Sequence, residues 1–383
     1  MQWKYTLSEP VLGKQELQAV TDCINSGWLS MGPKTKLFEE RFAGMAGAGH
    51  AIAVSNGTAA LHLALAALGV GTGSDDEVVQ PSINFVAAAN MTKVLGARPV
   101  FADIVSTGEP TISPADIESK LNERTKAVIV MHFGGYSARM PEIMEICQAR
   151  GIPVVEDACH APMQDDASSG RRLGTIGSIG CFSFFSNKNM TTAEGGMAVT
   201  DDEDLANPIR NMRSHAMTTL SWDRHHGRPS TYDVTAHGFN YRTDDLRSSL
   251  GLAQLDRLPE INEKRRTLAA CYAREIDRQL GNRALYIFGD RPTAGTAHLA
   301  GIMVDADIRD RIRTQLADLG VQSSLHYPPV HLFSAFDGSC PGGLPVSEEF
   351  SRGMITLPMH PGLDEAAVQD IVHALVEAFE RHA

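Results

Sequence analysis

From residue 50 onward, short apolar runs alternate with longer stretches whose apolar residues recur every three or four positions. "HAIAVS" (50–55), "DEVVQP" (76–81), "RPVFADI" (98–104), "TKAVIVMHF" (125–133) and "IPVVEDA" (152–158) read as strands. Between them, "GTAALHLALAALG" (57–69), "NFVAAANMTKVLG" (84–96), "SPADIESKLNE" (113–123) and "MPEIMEICQARG" (140–151) have helical spacing, with Ser or Thr near their starts and glycine at their ends. The strands are apolar throughout rather than alternating, so both faces of their sheet must be covered. That pattern predicts a mostly parallel sheet with helices on each side. Two further runs, "IGCFSFF" (179–185) and "GGMAVT" (195–200), also read as strands.

After residue 200 the pattern changes. Residues 205–240 are polar and irregular, which predicts a long loop. Residues 243–280 are mostly helical, with a possible kink at Pro259. Farther on come "TAHLAGIMV" (strand), "IRDRIRTQLADLG" (helix), "VQSSLHYPP" (strand) and a last helix from about Asp364. The expected organisation is an α/β large domain, residues 1–245, and a smaller C-terminal α+β domain, residues 246–383.

Composition narrows the function class. The 383 residues are 43% hydrophobic and 21% charged, as in soluble globular proteins. A net charge of −12 argues against a nucleic-acid surface. No run of about 18 apolar residues predicts a membrane helix, and the first residues lack the pattern of a signal peptide. Six cysteines without a C-x-x-C pair are expected to be reduced, which fits the cytoplasm. Cys159 beside His160 is a poor metal pair, because adjacent strand residues point to opposite faces.

In open parallel sheets ligands bind beyond the C-terminal strand ends, and four features fall there. "SNGTAAL", Ser55 to Leu61, is a polar glycine turn entering a helix, where free N–H groups and the helix dipole suit a phosphate. An ordinary N-cap by Ser55 or Asn56 explains it equally well. Phe85 falls where a planar ring can stack, although a core phenylalanine is commoner. Asp157 ends an apolar strand, where a carboxylate needs a partner such as a protonated ring nitrogen; a solvated loop acid or helix cap is the alternative. Lys188 lies in the tight corner of "FFSNKNMTTAEGGMAV" (184–199), where desolvation makes an amine nucleophilic toward an aldehyde. One molecule uses all four: the phosphate takes "SNGTA" and Ser183, the ring takes Phe85, the nitrogen Asp157 and the aldehyde Lys188. That molecule is pyridoxal 5'-phosphate.

With "GWLSMGPKTKLFEERFA", "AVSNGTAALHLAL", "PSINFVAAAN", "VVEDACHA", "GCFSFFSNKNMTTAEGGMAVTDD", "GFNYRTDDLRSSLGLAQL", "HYPPVH" and "LPMHPGL" in order, the chain resembles the DegT/DnrJ/EryC1/StrS family of PLP-dependent sugar aminotransferases. The resemblance implies fold type I, with a seven-stranded, mostly parallel sheet and a smaller C-terminal domain. It implies that Lys188 forms the Schiff base and shuttles the proton, Asp157 pairs with the pyridine nitrogen, and His160 lies near the ring hydroxyl or face, where many relatives have Gln. It places Gly57, Thr58 and Ser183 on the phosphate and Phe85 on the ring. Asn240 would reach the cofactor of a neighbouring subunit in a homodimer with shared active sites. Tyr241, Arg242, His326 and Tyr327 would face the substrate, and Arg242 or Lys34 could meet a diphosphate.

The implied reaction moves an amino group from L-glutamate or L-glutamine to a keto sugar, most simply a nucleotide-linked one. Lysine at 188, where some relatives have histidine and dehydrate instead, favours amino transfer. A dehydratase, an epimerase, a cyclitol aminotransferase and a non-catalytic regulator are the alternatives. Three departures bear on the substrate side: Tyr136, the 205–240 loop with Trp222, His225 and His226, and Ala193 where glycine is usual, a change of little expected effect.

Overall fold

The computed structural model describes residues 3–219, 222, 227 and 231–381. Its centre is a seven-stranded sheet in the order β1-β7-β6-β5-β4-β2-β3. The strands are β1 (His50–Val54), β2 (Glu77–Pro81), β3 (Arg98–Ala102), β4 (Thr125–Met131), β5 (Val154–Asp157), β6 (Ile179–Ser183) and β7 (Gly196–Thr200). β7 runs antiparallel to β1 and β6; every other pairing in the sheet is parallel. The parallel α/β sheet expected from the sequence is therefore the one observed.

Apolar strands need cover on both faces, and three clusters supply it. On one side, α1 (Lys14–Ser26) and α2 (Pro33–Ala46) accompany a ring cluster of Phe38, Phe42, Phe182 and Phe184. On the other lie α3 (Gly57–Ala67) and α4 (Ala87–Val94), with α3 apolar almost all round its surface. α5 (Pro114–Lys120) and α6 (Met140–Gln148) pack with β4 and β5. Local chemistry sets the helix starts. Asn56 Oδ1 accepts from Ala59 N (2.8 Å) at α3, and Ser113 caps α5 ahead of Pro114.

Two expectations are corrected, for the head of the 205–240 segment and for 321–329, and the helical reading of 243–280 is met. The head of the 205–240 segment is helical: α7 (Glu203–Met212) starts on an Asp202 cap and buries Ala206 and Ile209. Its interior Pro208 and polar outer face hide that periodicity from the sequence. α8 (Asp245–Leu280) is one helix of 36 residues that runs through Pro259. "VQSSLHYPP" is not a strand. It holds only isolated bridges, Tyr5 to Val321 and Ser324 to Thr356, because Pro328 and Pro329 have no N–H for a ladder. His225 and His226 lie outside the described residues.

α8 is shared by two cores. Leu252, Leu255 and Leu258 pack with the ring cluster under the sheet, while Leu268, Tyr272 and Ile276 belong to a C-terminal core. The latter covers an antiparallel sheet, β10-β9-β8, made of β8 (Ala284–Tyr286), β9 (Ala300–Val304) and β10 (Met354–Leu357). α9 (Arg309–Asp318) and α11 (Glu365–Glu380) complete it, and α10 (Pro345–Gly353) leads into β10. This unit is tied to the strand ends of the large sheet. Val330 N donates to Ser82 O (2.9 Å), and Asp103 Oδ1 accepts from Ser347 N (2.8 Å) and Oγ (2.6 Å). Those bonds hold the segment of His326 and Tyr327 over the sheet.

Candidate active site

The C-terminal ends of β1, β2, β4, β5 and β6 surround a cavity of about 640 Å³. Gly57, Thr58, Phe85, Asp157, His160, Ser183, Lys188, Tyr241, His326 and Tyr327 line it. Ten of the twelve site residues expected from sequence thus converge from segments far apart in the chain.

The floor is a cradle. Gly57 opens α3, and its N–H and that of Thr58 bond to no described residue, since Asn56 caps at Ala59. A Cβ on Gly57 would meet Ser183 Cβ at 2.9 Å and Cys159 Sγ at 3.2 Å, so only glycine fits there. A Cβ on Gly196 would stand 2.4 Å from Asn56 O, which explains the glycine that opens β7 beside the turn. Free helix N-terminal amides beside the Ser183 and Thr58 hydroxyls form a donor set suited to a phosphate.

On one wall Asp157, only 5% exposed, ends β5. Its oxygens accept from Asn84 Nδ2 (3.3 Å) and Cys159 N (3.3 Å). Asn84 is a functional neighbour the sequence reading missed. It joins β2 to β5 through space, and its only signal is a buried amide one residue before Phe85. The Phe85 ring is 57% exposed, facing the cavity rather than the core, 6.2 Å from the Tyr327 ring. Lys188 occupies the turn between β6 and β7, and its Nζ bonds to no described residue. Burial drives the amine below its ordinary pKa, and Cys159 and Asp157 offset only part of that.

His160 is buried. Gly134 N donates to its Nδ1 (3.3 Å), and its Nε2 lies 3.0 Å from the Tyr327 hydroxyl. Burial, then Lys188 and His326, hold its pKa well below the ordinary value, so it is neutral. His326 Nδ1 meets Thr356 Oγ1 (2.9 Å), and burial followed by Lys188 lowers its pKa to about 4. Tyr241 reaches the cavity edge with its hydroxyl 3.0 Å from His62 Nδ1.

Other expected residues lie elsewhere. Asn240 is exposed, and neither it nor Arg242 lines this cavity; Arg242 Nη1 donates to Ser214 Oγ (3.3 Å). Lys34 lines a different surface depression beside α1 and α8. Tyr136 does not line this cavity. It is buried, stacks on Phe288 at 4.1 Å and donates to Pro292 O (2.7 Å). Trp222 packs edge-on against Trp28 at 4.6 Å. Ala193 has φ +66°, in the left-handed region that favours glycine, so the Gly-to-Ala departure is a strained one rather than a neutral one. Among the described residues no metal-binding cluster occurs, and no helix is long and apolar enough to cross a membrane.

Residues 10–376 match the DegT/DnrJ/EryC1/StrS aminotransferase family. The chain belongs to that family. It is 37% identical over 377 residues to the spore coat polysaccharide biosynthesis protein SpsC of Bacillus subtilis, covering 96% of this chain and 95% of that protein. Helicobacter pylori PseC, an aminotransferase involved in the biosynthesis of pseudoaminic acid, superposes with a TM-score of 0.91 at 29% identity, over 98% of this chain and 99% of PseC. Streptococcus pneumoniae Spr1654 in its PLP form has a TM-score of 0.91 at 26% identity, over 100% of both chains, and a PMP form is also solved. The protein is therefore a PLP-dependent aminotransferase of fold type I. The phosphate cradle, the cavity-facing Phe85, the strand-end carboxylate and the unpartnered amine fit that cofactor.

Proposed function

We propose that the enzyme transfers an amino group from L-glutamate or L-glutamine to a keto sugar, most simply one linked to a nucleoside diphosphate. The observation that carries this is Lys188 Nζ: a desolvated, unpartnered amine in a cavity that also holds Asp157 and a phosphate cradle. Pyridoxal phosphate, when bound, supplies an aldehyde for exchange with amines and a ring that holds electrons. Gly57, Thr58 and Ser183 would hold its phosphate, Phe85 its ring face and Asp157 its ring nitrogen, with His160 beside it. Lys188 Nζ takes the proton from the substrate carbon and returns it, a role its lowered pKa favours because the free base accepts a proton. His326, Tyr327 and Tyr241 form the substrate wall.

In our reading two copies complete the site. Asn240 reaches the partner's cavity, which accounts for its position outside its own. The names of SpsC and PseC support the sugar side. A cytoplasmic setting is part of this reading, supported by six unpaired cysteines. So is a division into residues 1–245 and 246–383, with α8 as the shared element.

The test is an absorbance spectrum of the PLP-loaded protein before and after L-glutamate or L-glutamine. Conversion of the visible band with release of keto acid supports the donor half. A band unmoved by either donor overturns it and favours other PLP chemistry.

A further inference from the structure

One residue, Tyr241, holds the cradle turn from both sides. On the strand side, Tyr241 O accepts from Ser55 N (2.8 Å), and Arg242 forms an isolated antiparallel bridge with Val54 at the end of β1. On the helix side, the Tyr241 hydroxyl lies 3.0 Å from His62 Nδ1. Between the two contacts runs the turn Ser55-Asn56-Gly57-Thr58, which carries the free amides. His62 sits just over one helical turn beyond Gly57. Tyr241 thus joins β1 to α3 across the cradle.

This link has its own footing. Tyr241 N donates to Arg213 O (2.9 Å) and Phe239 N to Met212 O (2.7 Å), at the end of α7. The Phe239 ring stacks on Tyr241 at 5.0 Å and lies 4.7 Å from the His62 ring. His62 is buried, and it is the only polar side chain of α3 after Thr58. Apolar packing holds α3 in place but is not directional, whereas a hydrogen bond is. Burial lowers the imidazole pKa and raises that of the phenol, so both partners are uncharged at neutral pH.

We infer that His62 and Tyr241 are positioning residues for phosphate binding: their hydrogen bond fixes α3 against β1, so that the Gly57 and Thr58 amides are aligned before the phosphate arrives. This rests on the reading of the cradle given above. Donors held in place bind an anion without an ordering cost at the moment of binding. The Tyr241 ring lines the cavity, but its hydroxyl is engaged with His62 and serves the cradle rather than the substrate.

The experiment compares pyridoxal phosphate with pyridoxal, which has the same ring and aldehyde but no phosphate. Each is titrated into cofactor-free wild type, Tyr241→Phe, His62→Ala and His62→Asn, with the visible band as the readout of binding. Tyr241→Phe and His62→Ala are expected to weaken pyridoxal phosphate by about threefold to tenfold, the scale of one neutral hydrogen bond, and to leave pyridoxal unchanged. His62→Asn, which keeps a polar atom near the place of Nδ1, should stay close to wild type. Tyr241→Phe keeps the ring and the Ser55 contact, so it decides the matter if His62→Ala does not fold. Equal losses for both compounds overturn the inference, because general damage to the site would explain them. Unchanged binding of pyridoxal phosphate to Tyr241→Phe also overturns it, as does a loss in His62→Asn as large as in His62→Ala. A wild type that binds pyridoxal as tightly as pyridoxal phosphate defeats the reading of the cradle itself. A wild type that prefers pyridoxal phosphate, with Tyr241→Phe unshifted, defeats only this inference.

Discussion

Lys188 and Arg265 are both desolvated basic side chains without a carboxylate partner among the described residues, yet their surroundings give them opposite roles. Arg265, in α8, is 2% exposed, and its Nη1 donates to the carbonyls of Ala297, His298 and Met359 at 3.1–3.3 Å. Burial lowers its pKa to about 10, so it stays charged at neutral pH and is held by carbonyl dipoles. Lys188 feels the same desolvation from a lower starting value, has no carbonyl to hold its proton, and opens on a cavity. Desolvation alone does not make a reactive group. An intrinsic pKa within reach and a missing hydrogen-bond partner do.

The largest expected effect separates the two. Lys188→Ala should cut turnover by at least about 10²–10⁴-fold and abolish the visible band, while urea unfolding shifts by less than about 1 kcal/mol. Normal turnover in that variant would refute the role given to the lysine. Arg265→Ala should do the reverse. It strands three buried carbonyls and opens a void, costing about 2–4 kcal/mol in urea unfolding, yet the visible band should persist. A lost band at unchanged stability would show that Arg265 serves the chemistry.

The pH dependence sharpens the picture. His326 has an ordinary pKa of 6.5 and is held down to about 4 in the folded protein. Above 6.5 the ring is neutral in both states, so its contribution to stability is fully present. As pH falls from 6.5 toward 4 the unfolded chain binds the proton first, and that stability is lost. His160 and His298, also held low, act in the same direction. Unfolding midpoints of cofactor-free protein should therefore drop across this window, and His326→Gln should shrink the drop. A variant with an unchanged drop would mean that the ring is not desolvated.

The smallest effect concerns Ala193. Ala193→Gly relieves a left-handed alanine at about 1–2 kcal/mol but loosens the unfolded chain by about 0.4–1 kcal/mol. A net gain of about 0.5 kcal/mol is expected in urea unfolding; a loss would show that the turn is not strained.

What could be read from sequence followed the backbone. The strand–helix alternation, the Asn56 and Ser113 caps and the lysine corner are local signals, and each appears where the pattern placed it. Helix α7 was missed because Pro208 broke its signal, and the 321–329 strand was misread because its prolines remove ladder donors. β8 and β10 gave no sequence signal, being three and four residues long.

The sequence by itself determined the sheet class and which residue types gather at the strand ends, since both depend on periodicity and on turn chemistry a few residues long. Only the tertiary structure decided how those groups face one another. Asn84 meets Asp157 across two strands, Tyr136 turns away onto Phe288, and Gly134 fixes the His160 tautomer from 26 residues away. Such contacts close long loops and depend on packing that no local pattern encodes.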